Sequence, residues 1–270
     1  MNWLLKKEDI TIYIPIKRKF NNKQMKKIFL LFLITSISIS CKSDPKKIIN
    51  YLKNKEIAKV FERHGGIETW RNAKMLSFTK GDEVHTIDLQ SRKTLINSPN
   101  YSLGFDGNEV WLKELKEKSF KSRKDFYHNL YFYFYAMPFV LADDGIIYEK
   151  TSDLVFEGKA YAGYKISFKA NVGSSPDDNY IIYYNKNSFQ MEWLAYTVTF
   201  NSKKPTDAYN IIRYNDWNIV DKLLLPNSIT WYKKDSIGLP TQPRRAATEF
   251  TLPLISDKEI SDSFFKKPTK

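Results

Sequence analysis

From Met75 onward, apolar and polar residues alternate with a period of two, and this alternation governs most of the chain. Runs at 75–80, 83–90, 93–97, 101–105 and 109–113 read as strands, parted by Gly, Asn, Asp or Pro turns. Asp106-Gly107, between the last two, is a hairpin signal. A second series follows at 146–150, 153–157, 161–169, 179–185, 190–200, 208–216, 222–225, 227–234 and 246–253. Within it, Tyr164, Ile166 and Phe168 alternate with Lys165, Ser167 and Lys169, a one-sided pattern. The run Gln190–Phe200 is apolar on both faces. Met191, Trp193 and Ala195 take one side, and Leu194, Tyr196, Val198 and Phe200 the other. Such a strand has core against one face and a helix or ligand against the other.

Four segments read as helical instead. In Lys46–Arg63, Ile49, Leu52, Ile57, Val60 and Phe61 fall on one stripe between lysines, and His64-Gly65-Gly66 supplies the left-handed cap. Ile67–Ala73 adds a short turn of helix with Trp70. Between the two strand series, Ser122 with Asp125 predicts the cap of a helix over 123–142. This segment is apolar nearly all round, hence buried on most sides, and Pro138 kinks or restarts it. Ser256–Phe265 reads as a closing helix with Phe264 and Phe265 as its plug. The order predicts a mainly β fold with flanking helices (α+β): a strongly curved antiparallel sheet, an incomplete β-barrel with helices over its concave face.

The first 40 residues belong to a different grammar. Met25–Cys41 has two lysines, Lys26 and Lys27, then an apolar run, then small residues directly before the only cysteine. That is a secretory signal, and Cys41 at the first mature position makes it a lipoprotein signal. Ser40 fits the cleavage box, whereas Ser38 stands where an aliphatic residue is usual. The run Ile28–Ile39 falls short of the roughly 20 apolar residues that span a bilayer. The predicted organisation is therefore an extension and signal peptide over 1–40, a tether over 41–45 and a single half-barrel domain over 46–270. Translation can start at Met1 or at Met25.

Charge and composition then narrow the partners. The chain carries a formal +13, but eight Lys/Arg against Glu8 and Asp9 in the first 40 residues leave about +7 for the rest. On an exported protein this favours lipid headgroups or plain solvation over nucleic acid. Acylation of Cys41 leaves no thiol, so neither a disulfide framework nor thiolate chemistry is open to the mature chain. Phe, Tyr and Trp make up 15% of the residues, enough to line an apolar cavity as well as a core. The residues to test for the cavity are Trp70, Trp111, Tyr133, Met137, Trp193 and Trp231, with Trp217 as a further tryptophan.

Candidate chemistry is otherwise sparse. His64-Gly65-Gly66 has no G-x-S-x-G elbow to serve, the nearest run being Gly173-Ser174-Ser175-Pro176, so it reads as a helix cap. His64, His85 and His128 sit on three different predicted elements with no metal-ligand spacing. Asp143-Asp144 and Asp177-Asp178 read as turn residues. Arg244-Arg245, beside Pro243, can touch anionic headgroups or simply face solvent. The expectation is a protein without metal, cofactor or catalytic residues.

Several motifs taken in order carry a family resemblance. They are Cys41; His64-Gly65-Gly66-Ile67-Glu68-Thr69-Trp70; Phe105-Asp106-Gly107-Asn108-Glu109-Val110-Trp111; and the helix end Tyr135–Gly145. Leu225-Pro226-Asn227-Ser228-Ile229 leading into Thr230-Trp231, and the terminal Phe264–Pro268, complete the set. The chain resembles a family of uncharacterised Bacteroidota outer-membrane lipoproteins, and its signals are similar to the fold class of the Lol lipoprotein carriers and receptors. The resemblance implies a convex sheet whose apolar concave face, under helices, receives acyl chains or other lipidic groups. The expected function is an envelope lipoprotein, anchored to the outer membrane through Cys41, that binds a lipid or an acylated protein. The alternative is a non-enzymatic structural or interaction lipoprotein with a filled core.

Overall fold

Asn54 starts the first helix, its side-chain oxygen accepting from the backbone N–H groups of Glu56 and Ile57, both at 3.2 Å. These are donors that a helix start leaves without partners. The computed structural model describes residues 54–143, 145–168, 178–200 and 204–269. The signal segment, Cys41, the tether, the first part of the predicted Lys46–Arg63 helix, Asp144, Gly173–Pro176 and Asp177 lie outside the described residues. Helix α1, Lys55–Arg63, buries Ile57, Val60 and Phe61. Gly65 and Gly66 then turn the chain with φ of 105° and 86° into α2, Ile67–Asn72. A Cβ at Gly65 would lie 2.2 Å from the Lys222 carbonyl oxygen, so this cap also admits a later hairpin at close range.

Fourteen strands follow among the described residues, in two antiparallel sheets. The first sheet holds β1 (Met75–Lys80), β2 (Glu83–Asp88), β3 (Thr94–Asn97), β4 (Tyr101–Phe105) and β5 (Val110–Glu114), a meander in sequence order. The second holds β6 (Ile146–Phe156), β7 (Lys159–Phe168), β8 (Tyr180–Asn185), β9 (Met191–Tyr196), β10 (Asn210–Val220), β11 (Leu223–Lys234), β12 (Pro240–Pro243) and β13 (Thr248–Glu249). The last strand, β14 (Thr251–Ser256), pairs with β1. The chain thus leaves the edge of β11 at β13 and joins the first sheet one residue later, with Phe250 buried at the crossing. The fold is mainly β with few helices, and the second sheet curls into an antiparallel half-barrel.

Several boundaries differ from the periodicity reading, among them the run 190–200, which ends at Tyr196, and the run 208–216, which continues to Val220. The predicted runs 146–150 and 153–157 are one strand, β6, whose register shifts between Thr151 and Leu154. The runs 222–225 and 227–234 are likewise one strand, β11. Pro226 is tolerated inside it because it faces Trp217 at an irregularity in the ladder. The run 246–253 splits at Phe250, since its two halves serve different sheets. The short strand Pro240–Pro243 lies at an edge, where proline costs no ladder bond.

The predicted helix over 123–142 is three short pieces: α3 (Lys124–Tyr127), α4 (Leu130–Tyr135) and a 3-10 turn at Phe139–Ala142. Ser122 does not cap it; Arg123 holds the cap position, and its side chain does not bond the helix start. Asn129 interrupts the first piece from the second at ψ of 0°, and Pro138, which has no N–H to give, separates the second from the third. In the tail, a 3-10 turn at Asp262–Phe265 replaces the predicted helix. Phe265 is fully buried against Leu95 and Trp111, while Phe264 is 44% exposed, so a single residue is the plug.

One large core joins α1, α2, α4 and the 3-10 turn to the inward residues of both sheets: Leu76 and Phe78, then Ile166, Ile182, Leu194, Ile212, Leu225 and Ile229. A smaller cluster, with Phe156, Tyr161 and Trp193, covers the opposite face of the second sheet. Met191 belongs to the inner core together with Leu194, not to the side of Trp193. The register shift opposite Tyr183 and Tyr184 is what moves it. Among the described residues no helix is long and apolar enough to cross a membrane.

Candidate functional site

The three helical pieces form a roof over one end of the second sheet. A stripe at near-helical spacing, Phe126, Leu130, Tyr133, Met137, Val140 and Leu141, continues through both breaks and faces a cavity of about 500 Å³. The sheet supplies the floor: Tyr180 on β8, its direct cross-strand partner Tyr196 on β9, and Trp231 on β11. Trp231 Nε1 donates to the Tyr196 hydroxyl at 2.9 Å, tying two strands that flank β10. Phe134 closes on both from the roof, edge-on, with ring centroids 5.2 Å from Tyr196 and 5.6 Å from Trp231. Such T-shaped contacts suit aromatic rings and set a firm wall.

Hydrogen bonds pin the roof at both ends. Toward the second sheet, the Tyr214 hydroxyl donates to the Phe134 carbonyl at 2.9 Å and the Tyr148 hydroxyl to the Leu141 carbonyl, while Arg71 of α2 donates to the Ala142 carbonyl at 3.1 Å. At the other end, the Tyr127 hydroxyl reaches the buried Glu83 carboxylate at 2.8 and 2.9 Å. Glu83 also receives the Tyr101 hydroxyl, His85 Nε2 at 3.0 Å and Lys80 at 3.0 Å. Burial would raise its pKa, but the bonds from His85 and Tyr101, the charge of Lys80 and the bond from Tyr127 outweigh it and hold the pKa at about 2. Both tyrosines are raised in return, by burial first and by the carboxylate second.

The cavity lining is apolar and aromatic with charges among it: Asp125, Asp143, Asp178 and Arg245. Arg92 clamps Asp143 at 2.9 and 3.0 Å, and Asp178 accepts from the N–H and hydroxyl of Thr199 at 2.7 and 2.8 Å. The Arg245 guanidinium lies over the Trp231 ring, 3.9 Å from its centroid. No cluster of three or more His, Cys, Asp or Glu that could hold a metal occurs among the described residues.

Of the six residues proposed for the cavity, Tyr133, Met137 and Trp231 line it and three do not. Trp70 is buried in the core, stacked on Phe139 at 4.8 Å. Trp193 packs on the far face of the second sheet among Phe156, Tyr161 and Tyr232. Trp111 lies with Leu95 and Phe265, its Nε1 donating to the Phe265 carbonyl at 2.8 Å. There Gly104 makes room for it, since a Cβ would come within 2.4 Å of the indole. Trp217 stacks on Tyr214 and meets His64 edge-on, away from the cavity lining. Tyr180, Tyr196 and Phe126 were not among the predicted cavity residues. Their signal was the helical stripe in the roof and the even-numbered face of β8 and β9.

A curled antiparallel half-barrel with a helical roof over an aromatic cavity is the class of structure these observations define. The chain belongs to the family described as "Family of unknown function (DUF6503)", which matches residues 26–241. No curated protein matches it. Among solved structures it is similar to a LolA superfamily protein from Nitrosomonas europaea, at 8% identity and a TM-score of 0.39, over 77% of this chain and 96% of that one. It is also similar to a DUF1329 family protein from Desulfovibrio piger, at 9% identity and a TM-score of 0.39, over 77% and 95% of the two chains.

Proposed function

We propose that the chain is a cell-envelope lipoprotein, anchored to the outer membrane through an acylated Cys41, that binds a lipid or a protein's acyl chain under the α3–α4 roof. The observation that carries this reading is the cavity of about 500 Å³ walled by Leu130, Tyr133, Phe134, Met137, Tyr196 and Trp231. Its volume is that of a small-molecule site. Moving acyl surface into it releases about 0.8 kcal/mol per methylene. The same cavity favours a ligand-binding role over an interaction protein with a core filled throughout. A protein held at the bilayer by its own acyl chains meets such ligands at high local concentration.

Native mass spectrometry and lipid extraction of the full chain, purified from envelopes, test the reading. Co-purifying lipid that a fluorescent fatty acid displaces is the expected result. Protein that carries no lipid and takes up no fluorescent fatty acid would overturn it. Metabolic labelling with an alkyne fatty acid checks the anchor: the label enters the wild type and is lost in Cys41→Ala.

A further inference from the structure

We infer that the ligand of this cavity is an amphiphile with an anionic head, a carboxylate or a phosphate, held by the Arg245 guanidinium and the Tyr196 hydroxyl while its chain runs under the roof. The inference rests on the hydrophobic-ligand reading above. It starts from the segment between β12 and β13, which follows the edge of β11. There the Arg244 N–H donates to the Trp231 carbonyl at 2.7 Å and the Phe250 N–H to the Asn227 carbonyl at 2.7 Å. Those bonds place Arg245 beside the cavity wall, and its side chain stacks on Trp231 at 3.9 Å. A guanidinium over an aromatic ring still has N–H groups to give, and they match a carboxylate or phosphate.

Tyr196 stands beside it. Its oxygen already accepts from Trp231 Nε1 at 2.9 Å, which leaves the hydroxyl hydrogen for a second partner. Burial raises the Tyr196 pKa, and the positive charges of Arg245 and Arg244 act against that rise, so both guanidinium groups are felt at this oxygen. Arg245, Trp231 and Tyr196 therefore form one corner of the wall, cationic and hydrogen-bond-donating.

The carboxylates of the lining mark the competing choice. Asp143 is held by Arg92, and Asp178 by Thr199. Asp125, on the exposed first turn of α3, has no hydrogen-bond partner for its carboxylate among the described residues. A cationic head would go to Asp125 and an anionic one to Arg245. Both groups are exposed, but Arg245 lies over Trp231 with the Tyr196 hydroxyl as a second donor in the same wall, and the net charge of the chain attracts anions.

Displacement of a fluorescent fatty acid from the full chain decides between them, using laurate, dodecyl phosphate, dodecanol and dodecyltrimethylammonium as competitors. The expected result is that at least one of the two anionic competitors binds about tenfold more tightly than dodecanol. The tighter of the two identifies the head chemistry. Arg245→Gln should bring that competitor to within about twofold of dodecanol while leaving dodecanol unchanged, and Tyr196→Phe should weaken it by about threefold. Lys159→Gln, a charge-matched change on the distant β7, should alter nothing. Equal binding of dodecanol and the anions, tightest binding of the cationic competitor, or an equal effect of Arg245→Gln on dodecanol would each overturn the inference and leave a hydrophobic site. Failure of all four competitors and of the probe would instead remove the ligand-binding reading itself.

Discussion

The two halves of the concave face solve the same problem differently. Under α1 and α2 the face is filled: Ile57, Val60, Phe61, Ile67 and Trp70 are all buried against the sheets. Under α3 and α4 it encloses a cavity, and Leu130, Tyr131 and Tyr133 are only half-buried around it. Composition does not explain the difference, since the roof is more apolar than α1 and richer in aromatic residues. Continuity does. Helix α1 runs unbroken for nine residues between the Asn54 cap and the His64 cap before the Gly65-Gly66 turn, so its stripe points into the core as one surface. The roof is broken at Asn129 and again at Pro138, and its pieces are suspended from Glu83 at one end and from Tyr214, Tyr148 and Arg71 at the other. A suspended aromatic roof leaves space that a packed helix would occupy.

The sharpest way to break the comparison is to cut equivalent side chains from each half. Phe61→Ala should cost about 3–5 kcal/mol in denaturant unfolding, because Phe61 is 1% exposed in a close-packed region. Acid should then weaken the filled half through His64, the C-cap of α1. Its Nδ1 donates to the Val60 carbonyl at 2.8 Å, while burial and the nearby Arg63 charge depress its pKa from 6.5 to about 4. The unfolded chain takes up the proton first. The stabilisation from neutral His64 is therefore complete above pH 6.5 and lost as pH falls toward 4, by about 3 kcal/mol. His85 and His128 are shifted in the same direction, so the His64 share is read as the flattening of the stability–pH slope in His64→Leu.

The open half should give smaller numbers. Tyr127→Phe removes one of the roof's anchors on Glu83 but leaves that carboxylate its bonds from His85, Tyr101 and Lys80. A loss of about 1.5 kcal/mol in unfolding free energy is expected. Leu130→Ala, which only enlarges a cavity already present, should cost under about 1 kcal/mol. If Leu130→Ala instead matched Phe61→Ala, the two halves would be equally packed and the contrast would fail.

The fold was legible in the sequence wherever a turn or an alternation left a local mark. Asp106, whose side chain accepts from the N–H groups of Asn108 and Glu109 at 2.8 and 3.0 Å, closes the hairpin its sequence announces. Strand joins without such a mark were misread. At Pro226 and near Ser152 a long strand absorbs an irregularity that looks like a turn on paper. Alternation also separates the two faces of a strand without saying which is concave, and this is why Trp111 and Trp193 were placed at the cavity. The register shift beside Met191 then reverses part of the pattern in β9. The roof was legible in part: Tyr133 and Met137 belong to a stripe that could have been followed from Phe126 to Leu141. Its partners on the floor, Tyr180 and Tyr196, depend on strand order in space, which no local pattern encodes.

The most direct measurement is to fill the cavity and ask whether a lipid can still enter. Leu130→Trp places an indole into the space between roof and floor, beside Tyr133 and Trp231. Binding of a fluorescent fatty acid should fall by at least tenfold while the unfolding midpoint stays within the range of the wild type. Unchanged affinity in a folded Leu130→Trp protein would contradict a lipid site under this roof.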